Sequence, residues 1–258
     1  MMLSPFAFNA EIVARKKGWN LPRIRKENEG VFTDFARQEN PWYGVLFHTT
    51  GSGVLELAKN RSWSTVDAAL WTYGQEWSSC PHYLNDESGQ LWLITSEDLI
   101  APHCGVKGWM RSAMLDGSWI EHVSSVGLER WRARWPGVKS PQHLFPSLSG
   151  NHAYLGVENI PQPDGTFTDR QYASLAKLVA DFDVRHSIGI LHSIASTTRP
   201  VGPPIDVNGV SRTHRLVGHE DVNPFNTSDG GRWDKKGGWD PGALRIEPKF
   251  HWEKVLLP

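Results

Sequence analysis

The sequence predicts an α/β fold: a central mixed β-sheet flanked by helices, in a single domain with an N-terminal extension and an insertion. Three observations predict it. Short apolar runs such as Tyr43-Gly-Val-Leu-Phe47 and Ala153-Tyr-Leu-Gly-Val157 read as buried strands. They alternate with stretches whose apolar residues recur at helical spacing, the pattern of a sheet covered by helices. The groups able to do chemistry, His48, Glu158 and His219, fall at the ends of these runs, where α/β folds collect binding groups.

In chain order, residues 1–41 form the extension. They mix Arg15-Lys-Lys17, Arg23 and Arg25-Lys26 with several acids and scattered apolar residues. This reads as a packing arm or a solvated charged face, with a basic arm drawn to an anionic polymer as the other reading. The domain is expected over 42–258. It opens with the Tyr43–Phe47 strand and His48. Ser64-Thr-Val-Asp67 is a helix start, because the serine oxygen can accept a backbone N–H while the acid favours the helix N-terminus. Val66, Ala69, Leu70 and Tyr73 then follow at helical spacing. The stretch Ser79–Gly89 followed by Gln90–Ile94 reads as a hairpin turning at Glu87-Ser-Gly89, and the chain leaves it carrying His103.

Residues 106–148 are expected to be an irregular insertion rich in Trp and Arg, with a helix near Gly127–Arg134. Arg clamps carboxylates and Trp offers a flat apolar face, so a lid or substrate wall is one reading. A structural insertion packed on the core is the other. The Ala153–Val157 strand then delivers Glu158. Thr168 caps the longest helix, whose apolar stripe is Tyr172, Leu175, Leu178, Val179 and Phe182, ending near His186. Breakers fill Thr197–Pro204, and Arg215-Leu-Val-Gly leads to His219.

Composition narrows the function classes. The chain of 258 residues holds ample core for one large domain. A formal charge of −1 leaves no broad basic surface and argues against a general nucleic-acid binder. Thirteen Trp exceed ordinary usage and divide between core and grooves that stack on sugars or peptides. No apolar run is long enough for a membrane span. The N-terminus lacks a basic n-region and is broken by Pro5, Asn9 and Glu11, so no secretory signal is read. A cytoplasmic location is then the default expectation; a protein released or injected from the cell would look the same. Cys80 and Cys104 are too few for a disulfide framework, so two reduced thiols are expected, with one bridge as the alternative.

The chemistry centres on Leu216-Val-Gly-His-Glu-Asp-Val-Asn-Pro224 and Trp239-Asp-Pro-Gly242. Two imidazoles, His48 and His219, and the carboxylate of Asp240 would make an open zinc site of three protein ligands. Glu158 would stand beside it as a carboxylate outside the metal shell.

The motif order resembles the zinc-dependent N-acetylmuramoyl-L-alanine amidases, a family that also includes peptidoglycan recognition proteins. The matching residues are Phe47-His-Thr-Thr50, Ser79-Cys-Pro-His-Tyr-Leu84, Pro102-His-Cys-Gly105 and Asn151-His-Ala-Tyr-Leu-Gly-Val-Glu158. Phe167-Thr-Asp-Arg-Gln-Tyr172, Leu216-Val-Gly-His-Glu-Asp-Val222 and Asp240-Pro-Gly242 continue the series over roughly residues 42–245. The resemblance implies zinc held by His48, His219 and Asp240, with Glu158 as the base toward the attacking water. It implies hydrolysis of the amide joining N-acetylmuramic acid to L-alanine, in peptidoglycan or muropeptide fragments. It assigns His103 to the substrate cleft. The lysine that members often carry two residues before the last ligand is here Gly238, and Lys236 is the candidate substitute for oxyanion stabilisation. A catalytic tyrosine found in some phage-type members falls here at Pro81, which favours the glutamate-based subtype. The alternative function is a peptidoglycan- or muropeptide-binding protein without catalysis, as in relatives lacking the full triad.

Overall fold

The computed structural model describes residues 7–9, 17, 42–50, 52–74, 80–104, 106, 108–135, 137–144, 150–188, 206–207, 210–211, 216–225 and 250–255. The strands are β1 (Ala7–Asn9), β2 (Gly44–Thr49), β3 (Tyr83–Asn85), β4 (Leu91–Leu93), β5 (Tyr154–Asn159), β6 (Asp206–Val207), β7 (Val210–Ser211) and β8 (Leu216–Gly218). The helices are α1 (Ser52–Arg61), α2 (Thr65–Tyr73), α3 (Gly108–Asp116), α4 (Ser125–Arg134), α5 (Gly150–Ala153), α6 (Asp169–His186) and α7 (His219–Val222).

Among the described residues six strands form one mixed sheet in the order β1-β4-β3-β5-β2-β8, while β6 and β7 pair separately. Strands β3, β5, β2 and β8 run parallel; β4 is antiparallel to β3, and β1 lies parallel to β4 at the edge. The expected central mixed sheet flanked by helices is thus the observed architecture. The hairpin also forms where expected. Asp86 organises its turn, accepting from the backbone N–H groups of Ser88 and Gln90. Gly89 adopts φ +82°, and a Cβ there would meet the Arg170 carbonyl oxygen at 2.6 Å, so the turn abuts the start of α6 as only glycine allows.

β2 lies between β5 and β8, and Val45, Leu46 and Phe47 are fully buried, which explains its unbroken apolar run. On one sheet face Val45, Phe47, Tyr83, Leu155, Val157 and Leu216 pack on the α6 stripe of Tyr172, Leu175, Leu178, Val179 and Phe182. Cutting Phe182 to Ala would cost about 3–5 kcal/mol in lost transfer energy and cavity. α6 starts where the sequence places it. Thr168 Oγ1 accepts from Gln171 N–H, and Gln171 Oε1 accepts from Thr168 N–H, closing a capping box. Ser64 likewise caps α2, accepting from Asp67 N–H at 3.1 Å.

The opposite face carries two groups. Leu84 packs with Val54, Ala58, Ala68 and Ala69 of α1 and α2. Leu46, Tyr154 and Val217 pack under Met110, Trp119, Trp131 and Trp135. These last residues belong to the 106–148 stretch, which was expected to be irregular. It holds α3, a 3-10 turn at Ser118–His122, α4 and a second 3-10 turn at Pro141–Leu144. Trp119, Trp131 and Trp135 are core side chains, while Trp109 is 48% exposed. The N-terminal stretch also reaches the domain, through β1 and through an ion pair from Lys17 to Asp67. Cys80 and Cys104 are both buried free thiols, as expected. Burial pushes the Cys80 thiol up to about 11, against a hydrogen bond with Thr95 that lowers it.

Candidate active site

Three neighbouring parallel strands bring the site residues to one sheet end. His48 of β2 and Glu158 of β5 are register partners, so they emerge on the same face. Phe47 is paired with Gly218 of β8, and His219 opens α7 immediately after it. His48 therefore lies at the C-terminal end of its strand, where the sequence placed it. Glu158 is half-buried.

His48 Nδ1 lies 3.2 Å from His219 Nδ1, with ring centroids 4.7 Å apart. On their far sides, His219 Nε2 is 2.5 Å from the Cys104 carbonyl oxygen, and His48 Nε2 is 3.0 Å from His103 Nδ1. His103 Nε2 in turn faces the Tyr154 carbonyl oxygen at 3.1 Å. His103 is only 4 % exposed, beneath His48, with both nitrogens in contact with protein groups; the sequence reading had it lining the substrate cleft. Burial, together with the neighbouring His48, His82 and His219, holds its pKa well below the ordinary histidine value despite the Tyr154 hydrogen bond.

These contacts fit a zinc ion. Two nitrogens bound to one tetrahedral zinc at about 2.0–2.1 Å lie about 3.3 Å apart. The 3.2 Å between the two Nδ1 atoms suits one shared metal ion, or one shared proton. No group of three His, Cys, Asp or Glu with metal-holding geometry occurs among the described residues. Asp240, the expected third ligand, lies outside the described residues, as do Lys236 and Gly238. His82 makes other contacts. Its Nδ1 accepts from Gly156 N–H at 3.0 Å and its Nε2 donates to the Leu99 carbonyl at 3.0 Å.

Several supporting residues escaped the sequence reading. Asp221 is fully buried and accepts from Gly218 N–H at 2.7 Å and from Trp135 Nε1–H at 3.0 Å. Trp131 Nε1–H donates to its carbonyl at 3.0 Å. The insertion thus clamps the turn that presents His219. On the other side Asn159 Nδ2–H donates to the His48 carbonyl at 2.9 Å, and Asn85 Nδ2–H donates to Asn159 Oδ1 at 3.0 Å. Two Asn at corresponding strand ends and an Asp inside the His219 motif were visible signals. A supporting backbone carbonyl such as that of Cys104 leaves none.

No match is found among the curated proteins compared. A solved crystal structure of a selenomethionine derivative of AmpD superposes over 84% of this chain and 83% of its own, at 15% identity and a TM-score of 0.39. The model of the N-acetylmuramoyl-L-alanine amidase family matches residues 38–242, which include His48, His103, Glu158, His219 and Asp240. On that match, spanning most of the sequence, the chain belongs to the N-acetylmuramoyl-L-alanine amidase family.

Proposed function

We propose that this protein is a zinc-dependent amidase that hydrolyses the bond between N-acetylmuramic acid and L-alanine in peptidoglycan or its muropeptide fragments. The observation that carries the reading is the pair of Nδ1 atoms 3.2 Å apart, on the same sheet end as Glu158, in a chain of this family. His48 and His219 would hold the metal, with Asp240 as the third ligand. Zinc, when bound, supplies Lewis acidity that polarises the scissile carbonyl and makes water a nucleophile near neutral pH.

The chain's own groups do the rest. Glu158 takes a proton from the attacking water and returns it to the amine of L-alanine as the amide breaks. Its place in a strand fixes it beside His48, so the proton acceptor and the metal ligand share one rigid frame. Lys236 is the proposed cation for the carbonyl oxygen as charge builds there, in place of the lysine that Gly238 replaces.

The test is metal analysis of the purified protein together with mass spectrometry of muropeptides incubated with it. Stoichiometric zinc and release of free stem peptide are expected. Saturable binding that leaves muropeptides intact would refute the enzyme and identify a muropeptide-binding protein.

A further inference from the structure

His48 and His219 stand 171 residues apart in sequence, yet one dipeptide, His103-Cys104, touches the far side of both rings. What each ring touches dictates where its hydrogen sits. A carbonyl oxygen only accepts, so His103 Nε2 donates to Tyr154 O. In the neutral ring His103 Nδ1 is then a lone pair, and His48 Nε2 must be the atom that donates to it. The lone pair of His48 is left on Nδ1. By the same rule His219 Nε2 donates to Cys104 O, leaving the His219 lone pair on Nδ1. The two lone pairs meet at 3.2 Å, an arrangement that a cation between them stabilises.

We infer that His103-Cys104 is the positioning device for the metal pair: the His103 ring orients His48, and the Cys104 carbonyl orients His219. The inference rests on the zinc reading above. Two further contacts hold the device. Asn151 Oδ1 accepts from the backbone N–H groups of both His103 and Cys104, at 3.0 and 2.5 Å, so one side chain holds both halves. Gly156 gives the His103 ring its place on β5, since a Cβ there would fall 2.4 Å from His103 Cγ. His103 is thus a positioning residue, acting on the metal through His48.

The test compares wild type with His103→Leu, which removes the acceptor, and His103→Asn, whose Oδ1 can accept where the ring Nδ1 stood. Zinc affinity is measured by competition with a chromophoric chelator. Histidine tautomers in the metal-free protein are read by 15N NMR at about pH 8, well above the ordinary histidine pKa. In the wild type, His48 and His219 are expected to carry hydrogen on Nε2. His103→Leu is expected to weaken zinc binding about 10–100-fold, in the range of lost outer-shell partners, and His103→Asn to restore most of it. A folded His103→Leu that binds zinc like wild type, with only KM raised, would overturn the inference and return His103 to the substrate cleft. So would a wild-type spectrum with His48 protonated on Nδ1, a measurement that needs no variant to fold. A wild-type protein without zinc affinity would refute the zinc reading instead, while the metal-free spectra still decide the tautomers.

Discussion

Asp221→Ala is the sharpest test of how the insertion supports the site. The alanine removes two acceptor oxygens and leaves two buried donors behind, Gly218 N–H and Trp135 Nε1–H. Each stranded buried donor costs about 1–3 kcal/mol, so the expected loss is roughly 2–6 kcal/mol. The Trp131 contact goes to the Asp221 backbone carbonyl and survives, so the turn is weakened and not released. In a domain of this size each kcal/mol lowers Tm by roughly 2–4 °C, a shift that calorimetry and urea unfolding resolve easily. Asp221→Asn keeps one acceptor and should lose about half as much. A double-mutant cycle isolates the bond itself. Trp135→Phe removes one donor, so in the Asp221→Ala background it should be less harmful than in wild type, by about 1–3 kcal/mol. The lost indole volume is common to both backgrounds and cancels. Zero coupling, or an Asp221→Ala loss below about 1 kcal/mol, would refute the clamp.

Three further outcomes are expected. Glu158→Gln is expected to keep zinc, because the residue lies outside the proposed ligand set, but to lower kcat by about 10²–10⁴-fold through loss of the proposed proton acceptor; steady-state kinetics with metal analysis would expose a wrong assignment if turnover stayed near wild type. Asp240→Ala is expected to lower zinc affinity, because only two of the three proposed ligands would remain, and chelator competition showing unchanged affinity would remove it from the proposed metal shell. Glu97 sets an acid limit. Burial opposes its charge, but hydrogen bonds from His186, Arg185 and Tyr83 and the Arg185 charge outweigh burial and lower its pKa from 4.5 to about 2. Its contribution, about 3 kcal/mol, is therefore present above about pH 4.5 and is lost as pH falls toward 2. Urea unfolding from pH 5 to about 2 should show a flatter pH dependence in Glu97→Gln, and an unchanged slope would contradict the ion network.

How legible each part was depends on whether its cause is local. The Thr168 cap of α6 forms as read, and the structure completes it as a capping box with Gln171, three residues on. The hairpin likewise follows from Asp86 and Gly89. In the 106–148 stretch the helix read near Gly127–Arg134 forms as α4, and the reading of an insertion packed on the core holds for Trp119, Trp131 and Trp135. α3 was not read, because the contacts with β2, β5 and α7 that bury this stretch lie in no window of sequence. The strand β1 was missed for the same reason, since three residues pair with β4 across more than eighty positions.

His48, Glu158 and His219 carried their chemistry in their side chains and in the order of their motifs, and that was enough to place the chain in its family. What only the folded chain decided is orientation. His103 had the right residue type for a substrate cleft, yet the close approach allowed by Gly156 lays it under His48, where it faces a histidine and a backbone carbonyl. Hydrogen-bond partners set by packing between β2, β5 and the Cys104 carbonyl turn two Nδ1 atoms toward each other. Residue identity determines which atoms could bind a metal, while the direction of their lone pairs depends on contacts distant in sequence.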